Sequence, residues 1–317
     1  MENCADRLVR AIGTKGNPCI VGLDPRIDQM PLFITENAIG RYGDLDRAVR
    51  GCITEYHERV IDTVADLVPG VKLQIAFYEQ HGVSGLLAFK DTIEYAKSKN
   101  LIVIIDAKRN DIASTAQAYA NAQIGRTTVF GHSVPIFDAD FVTVSPYLGR
   151  DSWEPFVDTC RTYGKGIFIL VKTSNPGSSD LQDLRLAGGE ELYVTVAKLV
   201  RPYALELLGE SGYSSIGAVV GATFPAQADT LRELLPESIF LVPGYGAQGA
   251  TSSDVAHCFD EDGLGAVVNA SRSLTYRFKT RDMSERAFEQ LIRERTQAMI
   301  ADISDAVAAR IRTTRQG

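Results

Sequence analysis

Disulfide and zinc chemistry are the first possibilities that this 317-residue sequence lacks the pattern for. Its five cysteines, Cys4, Cys19, Cys52, Cys160 and Cys258, are dispersed, odd in number and form neither a CxxC pair nor a Cys/His cluster. That pattern fits reduced packing residues rather than a covalent framework or a structural metal. The four histidines, His57, His81, His132 and His257, fall in expected helices or loops away from strand ends, so metal ligation is not expected of them. Basic charge is also in deficit: 40 acidic against 33 basic side chains leave a formal net charge of −7. A chain of this sign has no general attraction for nucleic acid or for an anionic membrane surface. No apolar run approaches the span of a bilayer, and the opening MENCADRLVRAIG carries Glu2, Asp6 and Arg7 in a helix-like pattern rather than a leader pattern. We expect a soluble, cytoplasmic protein. Linkers rich in Pro and Gly, tandem repeats and low-complexity tracts are missing too, which favours a single domain over residues 1–317. GxGxxG, GxxxxGK[ST] and GxSxG do not occur in the contexts that give them meaning, so dinucleotide, P-loop and serine-hydrolase readings have no support.

What the chain does contain is a regular alternation. Short β-branched runs at Cys19–Leu23, Val71–Ile75, Leu101–Ile105, Phe141–Val144, Ile167–Val171, Ile216–Val220, Ile239–Val242 and Ala266–Val268 are separated by longer segments of helical spacing. Strands that are apolar almost throughout are covered on both sides, as in a parallel sheet. About eight of them suit a closed α/β barrel, although periodicity by itself does not separate a closed sheet from an open, doubly wound one. The fold expected is a single (β/α)8 TIM barrel with insertions after strands one and five. These insertions lie in the long connections from Asp24 to Val71 and from Lys172 to Ile216. Helices are expected at Ser84–Lys99, Ile112–Ile124, Asp151–Tyr163, Glu190–Leu208, Pro225–Leu235, Ser252–Phe259 and Ser284–Ile311, with a further helical stretch near Asp44–Leu67.

In a parallel barrel, chemistry gathers where the strands end and their loops converge over one mouth. Here those ends carry charge or glycine: Asp24 in VGLDPR, Lys72 on strand two, Asp106, Lys108 and Asp111 in IDAKRNDI, Ser174 in KTSNPG, and the glycine-rich LVPGYGAQGAT followed by Arg272 in NASRS. Asp106 and Lys108, two residues apart, should project to the same face of an extended segment, with Asp111 beyond the turn and Thr115 one helical turn further. The array is acid, base, acid. Its plain alternative is a solvated strand-to-helix turn with an ion pair and a capping aspartate. Glycines that admit backbone N–H groups and an arginine that offers a planar fork suit a phosphate, whereas Ser174 reads equally well as a polar ring contact or the start of a turn.

Taken together, VGLDPR, VKLQIAFYE, IDAKRNDI, KTSNPG, LVPGYGAQGAT and NASRS resemble the orotidine 5'-monophosphate decarboxylase family, in its longer-chain branch. The resemblance runs in order from Asp24 to Arg272. It implies a carboxy-lyase of pyrimidine biosynthesis, a homodimeric barrel that makes UMP from OMP with no cofactor and no metal. Carried over by position, Lys72, Asp106, Lys108 and Asp111 form the catalytic charged network, with Asp111 and Thr115 reaching into the partner subunit's site. Asp24 matches a ribose contact, Ser174 and Pro243 match pyrimidine neighbours, Gln248 and Arg272 match the phosphate grip, and Ile112 matches an apolar wall. Asn110 and Ser271 stand where many members have glycine. Three other readings compete: a magnesium-dependent sugar-phosphate lyase, a Schiff-base aldolase, and a nucleotide-binding protein without turnover. Lys72 disfavours the first because an ammonium cannot coordinate a cation. Flanking aspartates disfavour the second by keeping Lys108 charged. The third would lack a charged member, and none is missing.

Overall fold

The alternation becomes eight parallel strands: β1 Cys19–Gly22, β2 Gly70–Gln74, β3 Ile102–Arg109, β4 Phe141–Val144, β5 Gly166–Lys172, β6 Ser214–Val220, β7 Ser238–Val242 and β8 Ala266–Ala270. In the computed structural model, which describes residues 1–246 and 248–314, each strand pairs with the next. β8 returns to β1 with Cys19 opposite Val268, which closes the ring.

Alternation along each strand divides the core in two. Val71, Leu73, Val103, Ile105, Val142 and Val144 face outward into the layer of helices. Ile20, Ile102, Ile104, Phe141, Phe168, Val219, Ile239, Leu241 and Val267 fill the barrel. The Phe141 and Phe168 rings stack there with centroids 4.9 Å apart. Gly166 and Gly217 make room for them, since a Cβ on Gly217 would come within 2.6 Å of the Phe168 ring. The inner cluster also takes Cys4, Ala5, Leu8 and Ile12 from the helix Cys4–Lys15, which stoppers the end opposite the mouth. This helix starts where the Asn3 side chain accepts the Ala5 N–H and stops at the left-handed Gly16.

Both long connections contain a regular crossover helix, Leu45–Val64 after β1 and Leu192–Glu206 after β5. Extra chain precedes each: the turns Ile27–Gln29, Leu32–Thr35 and Ala38–Tyr42 in the first, and Pro176–Asp180 in the second. A hairpin, Thr127–Val129 with His132–Val134, was not expected and places His132 in a strand. Its arms are three residues long and largely polar, too short for a periodic signal, and its turn puts Phe130 and Gly131 at positive φ.

His57, 1% exposed on the crossover helix Leu45–Val64, sits against Tyr78 with Nδ1 3.1 Å from the phenol oxygen. That phenol donates to the Leu23 carbonyl, so Nδ1 carries the imidazole proton. Burial pulls the His57 pKa down to about 3. Above the unfolded value of about 6.5 both states are neutral; as pH falls below it, the unfolded chain takes up a proton that the native state excludes. Stability is therefore lost between the two values, by at most about 1.4 kcal/mol per pH unit. Denaturant titrations at pH 7 and pH 5 should differ by about 2 kcal/mol in the wild type, and His57→Gln should remove most of that difference. An unchanged difference in the variant would refute the assignment.

Candidate active site

Inward-facing positions near the carboxyl ends of the strands open into a cavity of about 740 Å³. Asp24, Lys72, Asp106, Lys108, Ser174, Pro243, Gln248 and Arg272 all line it, so eight of the eleven residues singled out in the sequence converge on one space. Asp111, Ile112 and Thr115 are not among the lining residues. They follow β3 on the way into the helix Ala113–Gln123, and Ile112 is 52% exposed. Ala247 of the glycine-rich segment lies outside the described residues.

On one wall of the cavity, two ammoniums share a single carboxylate. Lys72 Nζ lies 2.9 Å from Asp106 Oδ2, and Lys108 Nζ lies 2.5 Å from Oδ1. Burial by itself would push the Asp106 carboxyl up, but the two cations outweigh it and hold the group well below the usual carboxylate range. Burial likewise works against charge on Lys72, yet Asp106 and Asp24 keep its pKa above the ordinary lysine value. The Lys108 side chain remains 46% exposed toward the mouth. This is a cationic donor fixed by an anion that cannot itself be discharged near neutral pH.

The expected extended geometry from Asp106 to Lys108 is corrected by the backbone. Ile105 pairs with Val142 and Arg109 with Val144, so β3 spends two more residues than β4 over this interval. Lys108 takes a left-handed φ of 49° within the bulge. The two side chains meet across this bulge, while Arg109 turns away to pair with Glu79.

Also lining the cavity, Arg272 opens the short helix Arg272–Thr275 after β8, and its guanidinium makes no hydrogen bond or ion pair with the described residues. Gln248 lines the same cavity from the loop after β7. Asp24, which lines the cavity, accepts the Gln74 N–H at 3.2 Å, which fixes one carboxylate oxygen. The Ser174 backbone is seated closely: a Cβ on Gly221 would lie 2.6 Å from its Cα, and Thr223 donates to its carbonyl at 3.0 Å.

Sequence reasoning missed several residues that also line the cavity. Thr143 reads as an ordinary β-branched strand residue in FVTV, while Arg26 in VGLDPR and Gln74 and Phe77 in VKLQIAFYE lie within quoted motifs but were not singled out. Arg26 rests on the Phe77 ring at 4.6 Å. Asn269 Oδ1 and Ser178 Oγ are buried there with no partner among the described residues. The parity of β8 marks Asn269 as inward-facing, which is the one signal that could have found it.

The sequence model of the orotidine 5'-phosphate decarboxylase / HUMPS family matches residues 19–283. A Caldicellulosiruptor bescii protein named orotidine 5'-phosphate decarboxylase is 42% identical over 283 residues, 88% of this chain and 91% of that protein. A Rhodopirellula baltica protein of the same name is 45% identical over 289 residues, covering 91% and 93% respectively. Among solved structures, a Toxoplasma gondii protein described as an orotidine-monophosphate-decarboxylase superposes with a TM-score of 0.78 at 28% identity, over 99% of both chains.

Proposed function

The chain belongs to the orotidine 5'-phosphate decarboxylase / HUMPS family, and from that premise we propose that it decarboxylates OMP to UMP and CO2 in pyrimidine biosynthesis, as a cofactor-free carboxy-lyase. The observation that carries this reading is the Lys72–Asp106–Lys108 cluster in a cavity that also holds Arg272, whose guanidinium has no partner among the described residues.

Loss of CO2 from pyrimidine C6 leaves an electron pair with little resonance delocalisation. A cation beside C6 stabilises it, and a donor must then protonate it. Lys108 fills both roles. Asp106 orients Lys108 and stands close to the departing carboxylate, where one like-charge contact at ~4 Å and an effective dielectric of ~20 is worth about 4 kcal/mol that departure relieves. Asp24 binds a ribose hydroxyl, Ser174 and Pro243 bound the pyrimidine, and Gln248 with Arg272 holds the phosphate. Asp111 and Thr115 complete the site of the partner subunit in a homodimer, with Ile112 forming the apolar wall. Their position off this chain's own cavity is compatible with that sharing. We place the protein in the cytoplasm, with residues 1–317 as one catalytic domain. No helix among the described residues is long and apolar enough to cross a membrane.

The donor set favours this chemistry over a magnesium-dependent lyase. β2 contributes an ammonium, Lys72, at the wall where a cation would need oxygen ligands, and that ammonium is tied to Asp106.

The direct test follows the ultraviolet absorbance of OMP in the presence of purified protein. Turnover undiminished by EDTA is expected. Arg272→Ala should lower kcat/KM about 100-fold, the scale of one charge-assisted bidentate contact, with part of the loss in kcat because phosphate binding organises the site. A wild-type protein that leaves OMP unchanged would remove the proposal.

A further inference from the structure

We propose that Thr143 is a positioning residue for the decarboxylation, acting through its hydroxyl on both the Lys108 backbone and the Asp106 carboxylate. This rests on the reading of Lys108 as the group that stabilises and protonates the carbanion. Thr143 occupies the inward face of β4 and is 1% exposed. Its Oγ1 accepts the Ala107 N–H at 3.0 Å and the Lys108 N–H at 2.9 Å, and donates to Asp106 Oδ1 at 3.0 Å. A hydroxyl has one proton and two lone pairs. With both lone pairs taken by backbone donors, the proton has one remaining destination, the Asp106 carboxylate.

The reason for this arrangement lies in the bulge. The two residues that β3 gains over β4 include Ala107 and Lys108, whose N–H groups have fallen out of the ladder. Buried donors left without acceptors are costly, and a left-handed lysine adds backbone strain that its surroundings must hold. One threonine oxygen satisfies both donors and holds Lys108 at its φ of 49°. The same atom fixes the rotation of the carboxylate that Lys72 and Lys108 share. The backbone that aims the ammonium and the anion that orients it are thus tied to a single side chain.

The experiment compares Thr143→Val, which removes the hydroxyl at nearly constant volume, with Thr143→Ser, which keeps it. Thr143→Val should lower kcat on OMP about 100-fold while the Kd for UMP stays within about threefold, because among the described residues the Thr143 hydroxyl bonds Ala107, Lys108 and Asp106 and not Asp24, Gln248 or Arg272. Thr143→Ser should retain kcat within about threefold. Thr143→Ala carries the same comparison if the valine variant does not fold. Equal impairment in the serine and valine variants, or wild-type kcat in the valine variant, would overturn the inference and leave the decarboxylase reading intact. A wild-type chain without OMP turnover would overturn both.

Discussion

Lys108→Ala is expected to lower kcat/KM for OMP by at least about 10⁴-fold, the combined scale of losing a preorganised electrostatic stabiliser and a proton donor. Its ammonium stands 2.5 Å from Asp106 and nearly half exposed toward the cavity, so it can address a ligand without breaking its own ion pair. Binding should suffer far less, because Arg272 and Gln248 come from the segments after β8 and β7 and take no part in the Lys72–Asp106–Lys108 contacts. Stopped-assay absorbance for turnover and equilibrium titration with UMP for binding separate the two. Comparable losses in kcat and UMP affinity would assign Lys108 to anchoring instead.

Removal of Asp106 should act on stability as well as on rate. Asp106→Leu leaves Lys72 buried without its carboxylate partner, a change of the kind that costs about 3–5 kcal/mol. Removing both charges is different: Lys72→Met with Asp106→Leu takes away the uncompensated cation and should recover much of that stability. Both proteins should be inactive. Chemical denaturation near pH 7 measures the comparison, and a double variant no more stable than Asp106→Leu would show that Lys72 is not the group left stranded. The acid side gives an independent check. With the native Asp106 carboxyl held below its ordinary value, the stabilisation it provides is complete above about pH 4 and is lost as pH falls further. That window lies mostly below the one governed by His57.

The barrel was legible because the strands are covered on both faces and so read as runs that are apolar almost throughout, from Cys19 through Val268. Five of the eight cavity-lining residues, Asp24, Lys72, Asp106, Lys108 and Arg272, were legible because a charge near a strand end has few structural duties, whereas Pro243 and Gln248 were named through the resemblance. The bulge at Lys108 was not, since DAKR carries no glycine to mark a left-handed residue and the compensation comes from Thr143, 35 residues away. Asp111 and Thr115 were marked by spacing and Ile112 by resemblance alone, and a single chain does not bring any of the three to its own cavity. The charged wall itself could be anticipated as a set of residues, but the sharing of one carboxylate between two lysines required coordinates.

The helix that stoppers the barrel imposes a timetable on synthesis. Leu8 and Ile12 leave the ribosome before the barrel strands, yet Ile239, Leu241 and Val267 of the same apolar cluster are translated more than two hundred residues later. At about 5–20 residues per second the apolar face of that helix waits roughly 10–50 s for its final seat. During that interval it is a natural handle for chaperones.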